Sequence, residues 1–279
     1  MRALASLLFI ICLFSSNKIC ADDSPVVVTL APHLTEWVYL LKAEGNLMGV
    51  SAHSDYPADA KSKPVIADYQ GADIAAILAL RPDVVLAWRG GNKPQDIARL
   101  RSLDIAVFES SVSRPEDIAT EIKKLGGVLG RESLANRIAD SFNARLSQLR
   151  QQYQRDRQVS VLYYFSTAPL MTVGKHTWPN EVLNVCGAET IFNDSPADYP
   201  QVNVQEVLRR QPEILVAAQQ SPKDHLEVFW SAHRAVLSAP LLVVDPDVFS
   251  RFTPRLLNKL SGLCHKIDRV RQVKIHEKP

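Results

Sequence analysis

The chain has 279 residues, 46% of them apolar, and its 32 basic residues nearly balance its 30 acidic ones. This length is long for one domain and natural for two, and the apolar content is enough for a folded core. Because no basic excess is present to follow a phosphate backbone, we expect no nucleic-acid partner.

Residues 1–21 have the composition of a secretory signal peptide. Arg2 precedes an apolar stretch from Leu4 to Phe14, and small and polar residues follow this stretch. The stretch is too short to cross a bilayer as a helix. We therefore predict cleavage after Ala21 and export of the remaining chain.

Two cysteines, Cys186 and Cys264, lie beyond the predicted cleavage site. An oxidising compartment makes a disulfide between them the default expectation. The chain-entropy model assigns about 4 kcal/mol of stabilisation to a loop of this size. The alternative is a pair of buried free thiols.

Strand and helix patterns alternate through residues 22–130, which we predict to form an N-terminal lobe. The β-branched run at 26–31 predicts a strand, and the helix pattern after it predicts Gly45 as the C-cap. A further helix pattern ends at Pro82. The apolar run at 83–88 shows no alternation, which indicates a strand buried on both faces of a parallel sheet.

The alternation stops between Arg131 and Arg157. Apolar residues recur there every three or four positions with charges between them, which predicts one amphipathic helix over 131–157. Such a helix would be about 39 Å long, more than a crossover needs. Because the alternation resumes over 158–279, we predict an α/β fold of two Rossmann-like lobes with mainly parallel sheets, joined by one long rigid helix.

The segment ALRPDVVLAWRGGN (79–92) has a counterpart in RRQPEILVAAQQ (209–220). Pro82 and Pro212 are 130 positions apart, and an apolar strand pattern follows each of them. The first copy alone ends in Trp88 and Arg89. The repeat predicts two lobes of similar construction that present different residues to a ligand.

Signatures of catalysis are missing from the sequence. It contains no G-x-S-x-G elbow, no H-E-x-x-H motif, no phosphate loop and no dinucleotide fingerprint, and its seven histidines lack metal-ligand spacing. We therefore expect no enzymatic activity, no cofactor and no metal site.

Aromatic and polar residues follow the predicted strands at their carboxyl ends, where open α/β sheets bind ligands. Flat rings with a few directional polar groups suit a large, planar, amphipathic ligand. The alternative is that they are core rings, loop turns and an arginine that answers a nearby carboxylate. The residues concerned are His53, Asp55, Tyr56, Trp88, Arg89, Phe165, Met171, Tyr199, Asp247, Phe249, Arg251 and Phe252.

Over its predicted mature length the chain resembles the periplasmic vitamin B12-binding proteins of cobalamin ABC importers. The matching motifs are SDYP (54–57), QG (70–71), AWRGGN (87–92), VLNVCGAETIF (182–192), YPQV (199–202), PR (254–255) and the two cysteines. The resemblance implies a monomer in the periplasm, a corrinoid held between two lobes without covalent chemistry, and an inner-membrane permease dimer as partner.

The resemblance also implies a set of ligand contacts. Four of the matching positions depart from the family pattern, because His53 replaces a tyrosine, Tyr69 and Tyr199 replace tryptophans, and Met171 replaces a phenylalanine. The full candidate set adds Tyr56 and Arg89 to the matching positions, which are His53, Tyr69, Trp88, Phe165, Met171, Tyr199, Asp247 and Arg251.

Docking on the permease is a second expectation from the resemblance. The family uses one glutamate in each lobe, but those positions here are Ala75 and Gln205. Asp73 and Glu206 are the nearby carboxylates that could replace them. The alternatives are a changed permease, or an exported corrinoid-binding module that serves no permease.

The nearest alternative cargo for the same fold is haem or a ferric siderophore. A ferric siderophore is anionic and would need several basic residues in the cleft. The sequence places Arg89 and Arg251 there, against Asp55 and Asp247.

Overall fold

A computed structural model describes residues 24–276, so the predicted signal peptide lies outside the described residues. A six-stranded sheet of order β4-β3-β2-β1-β5-β6 organises the first lobe, and every pair in it is parallel except β3–β4. Its strands are β1 (Val27–Thr29), β2 (Leu47–Ser51), β3 (Val65–Asp68), β4 (Gly71–Ala72), β5 (Val84–Trp88) and β6 (Ala106–Ser110). Its helices are α1 (Pro32–Leu40), α2 (Ile74–Leu80), α3 (Pro94–Ser102) and α4 (Pro115–Val128), with 3-10 turns at Glu44–Asn46 and Ala58–Ser62.

A second sheet of order β11-β10-β7-β8 organises the second lobe, and β9 pairs with the start of β7. Its strands are β7 (Val159–Thr167), β8 (Leu170–Thr172), β9 (Ala188–Thr190), β10 (Ile214–Ala218) and β11 (Leu241–Val244). Its helices are α6 (Trp178–Val185), α7 (Val204–Arg210), α8 (Lys223–Ser231), α9 (Pro246–Phe249) and α10 (Leu256–His276).

One helix, α5 (Glu132–Tyr153), connects the lobes and confirms the predicted fold class. Its 22 residues correspond to about 33 Å. The predicted end at Arg157 was wrong, because the backbone turns to an extended conformation at Gln154. Arg157 lies beyond the helix and donates to both carboxylate oxygens of Glu213, at 2.9 and 3.0 Å. None of the described helices is both long and apolar enough to span a membrane.

The two copies of the repeat have the same backbone construction. Helices α2 and α7 each have seven residues. The side chains of Asp73 and Asn203 cap them by accepting from the backbone N–H three residues on, at 2.9 and 2.8 Å. Arg81 and Gln211 end them with the same left-handed φ of 47°. The two prolines and the buried strands β5 and β10 follow, as the sequence predicted.

The first helix ends earlier than the sequence predicted. Gly45 is not its C-cap, because α1 stops at Leu40 and the left-handed conformation falls on Lys42, with a φ of 54°. The glycine therefore placed the predicted end of the helix a few positions too late.

A disulfide joins Cys186 to Cys264, with an S–S distance of 1.98 Å, and confirms the predicted pairing. It links the end of α6 to α10. Beside it, the buried Arg271 donates to the carbonyl oxygens of Cys186 and Gly187 at 2.8 and 2.9 Å. These contacts fix α10 to the second lobe.

Candidate ligand-binding site

The end of β5 is built around Trp88. The backbone N–H of Trp88 donates to Asn92 Oδ1 at 2.7 Å, and Asn92 Nδ2 donates to the Leu30 carbonyl at 2.8 Å. Gly90 has a φ of +91°, and a Cβ on Gly91 would lie 1.7 Å from the indole ring. The two glycines and the asparagine are thus what places this half-buried ring.

An aromatic cluster behind Trp88 spans both lobes. Phe252 of the second lobe lies 5.3 Å from Trp88, 5.0 Å from His33 and 4.7 Å from Trp178, between ring centroids. Its carbonyl accepts from Trp37 Nε1 at 2.8 Å. Phe252 is buried, so it packs the contact between the lobes and is not a ligand platform.

His33 is a buried histidine within this cluster, and its Nε2 has no hydrogen-bond partner among the described residues. Burial, together with the positive charge of Arg251, lowers the pKa of His33 from 6.5 to about 3. The imidazole is therefore neutral at neutral pH.

Arg251, a predicted ligand contact, is buried and lies across the lobes. Its Nη1 donates to Asp55 Oδ1 at 2.7 Å and to Glu36 Oε1 at 3.1 Å. Its Nη2 donates to the His53 carbonyl at 3.1 Å and to Asp247 Oδ1 at 3.3 Å. The structure thus brings four predicted site residues, His53, Asp55, Asp247 and Arg251, into one hydrogen-bonded group, in which Arg251 already has protein acceptors.

The first-lobe members of this group are held by their backbone and their charge. His53 has a left-handed φ of 63°, which turns its carbonyl to Arg251 and leaves its side chain exposed. Burial alone would raise the pKa of Asp55, but the hydrogen bond and charge of Arg251 outweigh it and hold that pKa below its ordinary value.

Arg255 links Tyr56 to the same group. It donates through Nε to Glu36 Oε2 at 2.7 Å and through Nη2 to Glu36 Oε1 at 2.6 Å. Its guanidinium lies 4.3 Å from the centroid of the Tyr56 ring. Neither Glu36 nor Arg255 was among the residues predicted to line the site, although a glutamate inside the apolar stretch LTEWV (34–38) was a signal.

Arg89 pairs with a nearby carboxylate, which was the alternative to a ligand contact that the sequence left open. Its Nε donates to Glu109 Oε1 on β6 at 2.9 Å, while its side chain is 67% exposed. The hydrogen bonds from Arg89 and then Arg101 lower the pKa of Glu109. Arg89 is therefore already paired with a carboxylate.

Exposed aromatic rings occur in both lobes. Tyr69 is 88% exposed, Tyr199 is 52% exposed and Phe165 is 39% exposed. The rings of Phe165 and Tyr199 meet edge-on at 6.1 Å, and Met171 lies nearby, bridged to Gln201. Rings left in water at clustered positions are typical of a binding surface.

Tyr69 lies apart from the other groups, on the β3–β4 turn. Its hydroxyl is 3.0 Å from Gln70 Nε2. The turn is fixed to α3, because Asp96 Oδ2 accepts from the Ala72 N–H at 2.9 Å. The backbone that carries this exposed ring is therefore anchored to α3.

A second repeat connects the two exposed tyrosines, and the sequence analysis missed it. Ala-Asp-Tyr at 67–69 recurs as Ala-Asp-Tyr at 197–199, again 130 positions later. Each tyrosine stands four positions before the cap of α2 or α7. Tyr69 and Tyr199 are therefore equivalent residues of the two lobes.

The second lobe also has polar residues that the sequence analysis did not select. A cavity of about 410 Å³ lies beyond the carboxyl ends of β10 and β11, lined by residues 219–221 and 243–247. Gln220 Nε2 donates to Asp247 Oδ2 at 2.6 Å, and the buried Nε2 of Gln219 has no partner among the described residues. Gln219 is the counterpart of Arg89 in the repeat, and this correspondence could have identified it as a candidate site residue.

Both candidate docking carboxylates have partners within the chain. Asp73 accepts the capping hydrogen bond of α2. Glu206 accepts from Arg209 and Arg210, and these bonds lower its pKa from 4.5 to about 2.

Within residues 24–276, no group of three His, Cys, Asp or Glu side chains is arranged to hold a metal ion.

Two α/β lobes, one long connecting helix and exposed rings at strand ends define the class of two-lobed ligand-binding proteins. The chain belongs to the periplasmic binding protein family, whose model matches residues 27–234.

Named relatives narrow the similarity. The chain is 34% identical to a vitamin B12-binding protein of Yersinia pseudotuberculosis, over 92% of this chain and 91% of that protein. It is also similar to the crystal structure of the periplasmic vitamin B12-binding protein BtuF of Vibrio cholerae, with a TM-score of 0.81 and 32% identity over 89% of this chain and 98% of that one. The periplasmic haem-binding protein RhuT of Roseiflexus sp. RS-1 shares the fold, with a TM-score of 0.78 and 18% identity over 88% of this chain and 99% of that one.

Proposed function

We propose that this protein is a periplasmic receptor that binds vitamin B12 or a related corrinoid between its lobes and delivers it to an ABC importer. The observation that carries the proposal is the set of exposed rings at strand ends in both lobes, with Tyr69 and Tyr199 at equivalent positions. The similarity to vitamin B12-binding proteins over nearly the whole chain supports it. On this proposal the protein acts by binding as a monomer, without a cofactor or a catalysed reaction.

The charges of the site favour a corrinoid over an anionic cargo. The peripheral amides of cobalamin are neutral, whereas haem carries propionates and ferric siderophores are commonly anionic. Arg89 and Arg251 would be the natural anion contacts, but each is already paired with carboxylates. An anionic ligand would have to compete with these pairs.

Calorimetric titration of the mature protein with cyanocobalamin, haemin and a ferric hydroxamate siderophore tests the proposed ligand. We expect micromolar or tighter binding of cyanocobalamin and a large loss of affinity in the double variant Tyr69→Ala/Tyr199→Ala. Val228→Ala, which changes a 70% exposed residue on α8, is the control. Tight binding of haemin or the siderophore without binding of cyanocobalamin would refute the proposal.

Delivery to a permease dimer is the second part of the proposal. Asp73 and Glu206 remain the candidate docking residues, although both carboxylates have internal partners. Transport reconstituted with Asp73→Asn and Glu206→Gln tests them, and a loss of transport with unchanged corrinoid affinity is expected. Unchanged transport would make them bystanders, and a wild-type protein that binds but never delivers would indicate a module without a permease.

A further inference from the structure

We propose that Glu36 is a positioning residue of the ligand site, an inference that rests on the proposed function. One buried carboxylate on α1 holds two arginines of the second lobe, Arg251 and Arg255. Arg251 is itself a predicted ligand contact. The two arginines also contact three other predicted ligand residues, His53, Tyr56 and Asp247.

Both oxygens of Glu36 are occupied. Oε1 accepts from Arg255 Nη2 at 2.6 Å and from Arg251 Nη1 at 3.1 Å, and Oε2 accepts from Arg255 Nε at 2.7 Å. The Glu36 side chain is 5% exposed, so these bonds are shielded from water. Charge-assisted bonds in such surroundings are short and directional, and they fix the planes of both guanidinium groups.

The arginines carry this geometry outward to the first-lobe part of the site. Arg251 then reaches Asp55 and the His53 carbonyl at 2.7 and 3.1 Å. Arg255 covers the Tyr56 ring at 4.3 Å. Tyr56 is 49% exposed, so the ring that Arg255 holds is open to a ligand.

The same arginines reach the second-lobe part of the site. Arg251 Nη2 donates to Asp247 Oδ1 at 3.3 Å, and Arg255 Nη2 lies 3.4 Å from the Asp247 carbonyl oxygen. Glu36 belongs to the first lobe and Asp247 to the second. The carboxylate of Glu36 therefore sets the distance between ligand residues on the two sides.

The distribution of the ion pairs explains why the carboxylate is needed. Glu36, Asp55 and Asp247 face Arg251 and Arg255, which leaves one net negative charge among these five side chains. Without the charge of Glu36, Asp55 and Asp247 still balance the two arginines in number, but both of them pair with Arg251. Among the described residues Glu36 is the carboxylate that pairs with Arg255, so its loss leaves Arg255 without an ion-pair partner and removes the fixed geometry that Arg255 gives to the site.

Calorimetric titration with cyanocobalamin of the wild type, Glu36→Gln and Glu121→Gln tests the inference. Glu121 is a matched control, because its carboxylate is also buried at 6% exposure and paired with Lys124, but it lies on α4. We expect affinity to fall about tenfold in Glu36→Gln and to change less than about twofold in Glu121→Gln. Thermal unfolding confirms that each protein is folded at the titration temperature.

A double-mutant cycle with Arg255→Gln separates positioning from a general loss of stability. If Glu36 acts through Arg255, the two substitutions are non-additive in ligand affinity, and the double variant binds about as weakly as either single one. Additive losses, or an unchanged affinity in Glu36→Gln, would overturn the inference. If Glu36→Gln does not fold, Arg255→Lys takes its place, and an unchanged affinity in that variant contradicts positioning.

The titration also distinguishes this inference from the proposed function. A wild type that binds cyanocobalamin while Glu36→Gln binds equally well refutes the role of Glu36 and leaves the proposed function standing. A wild type that does not bind cyanocobalamin refutes both.

Discussion

The two lobes contain the same structural unit with different surfaces. Residues 67–91 and 197–221 each run from an exposed tyrosine through a capped seven-residue helix, a left-handed residue and a proline to a buried strand. In α2 the exposed residues are apolar, namely Ala75, Leu78 and Ala79. Their counterparts in α7 are Gln205, Leu208 and Arg209, and the charges of Glu206 and Arg210 lie beside them.

The comparison separates what builds the unit from what the unit presents. A cap, a left-handed residue, a proline and a buried apolar strand determine the backbone, and both copies have all four. The outward positions are free of that requirement. This is why Trp88 and Arg89 in one copy correspond to Ala218 and Gln219 in the other.

We expect the largest effect on stability at the contact between the lobes. The first lobe contributes His33 to this contact, which can be protonated, whereas the second contributes Phe252 and Trp178, which do not titrate. The pKa of His33 is about 3 in the folded protein and 6.5 for a histidine free of these surroundings, so the folded state binds fewer protons than the unfolded chain. Its stabilisation is complete above pH 6.5 and is lost as the pH falls below that value. We expect a loss of about 3 kcal/mol between pH 6.5 and 4.

Urea unfolding as a function of pH checks this prediction. His33→Leu should flatten the decline relative to the wild type, whereas the exposed control His265→Asn should not. The same pH slope in His33→Leu and wild type would show that His33 binds a proton equally well in the folded and unfolded states, which would contradict the lowered pKa.

A reciprocal exchange at the strand ends sharpens the comparison. Gly91 corresponds to Ser221, and a Cβ at Gly91 would lie 1.7 Å from the Trp88 ring. Gly91→Ser should reduce the free energy of unfolding by about 2 kcal/mol and displace the indole. Ser221→Gly should change it by less than about 0.5 kcal/mol, because Ala218 leaves room there. Equal effects in urea unfolding would contradict a Trp88-specific role for Gly91.

The ends of α2 and α7 differ in how they are stabilised. Arg210 donates to Asp194, Glu206 and the Ile191 carbonyl, and its counterpart Leu80 packs on an apolar cluster. Arg210→Met should cost about 1.5 kcal/mol, since it leaves the carbonyl without its donor. Leu80→Met should cost less than about 1 kcal/mol. Chemical denaturation measures both, and the reverse order would show that the charged face contributes little.

The caps test whether the two units are equivalent. Asp73→Ala and Asn203→Ala each remove one hydrogen bond to the backbone of a seven-residue helix. Each should reduce the free energy of unfolding by about 1 kcal/mol. A loss in one lobe without a loss in the other, measured by denaturation, would mean that one cap is replaced by another contact.

The left-handed positions should show the smallest effect. Glycine adopts a φ of 47° with less strain than arginine or glutamine. Arg81→Gly should therefore increase the free energy of unfolding by about 0.5 kcal/mol, which is measured as a slightly higher thermal midpoint. Gln211→Gly should be close to neutral, because Gln211 also donates to the carbonyls of Leu208 and Val236 at 2.6 and 3.2 Å. A decrease in Arg81→Gly would contradict strain at this position.

Local patterns in the sequence predicted much of the fold. Pro82, Pro212 and the unbroken apolar strands act over a few residues, and the long helix has a clear period. Gly45 misled because Lys42 adopts the left-handed conformation three positions earlier. The long helix ends at Tyr153, and Arg157 beyond it pairs with a glutamate 56 positions away, a contact that no local pattern encodes.

The candidate site was less accessible from the sequence, because its main contacts join distant segments. Arg251 meets Glu36 across 215 positions, and Trp37 meets the Phe252 carbonyl across the same separation. The strand-end rule selected residues by type, so Phe252 and the exposed Tyr199 were selected alike. Their burial, 5% against 52% exposed, separates a packing ring from a candidate ligand contact.

Crystals of the mature protein grown with cyanocobalamin test the central claim most directly, because anomalous scattering at the cobalt edge locates the ligand without further assumptions. We predict one cobalt position between the two lobes, with the corrin ring covering Tyr69, Trp88 and Tyr199 and with Glu36 still bonded to both arginines. A cobalt position on the outer surface of a lobe, or none at saturating cyanocobalamin, would contradict the account.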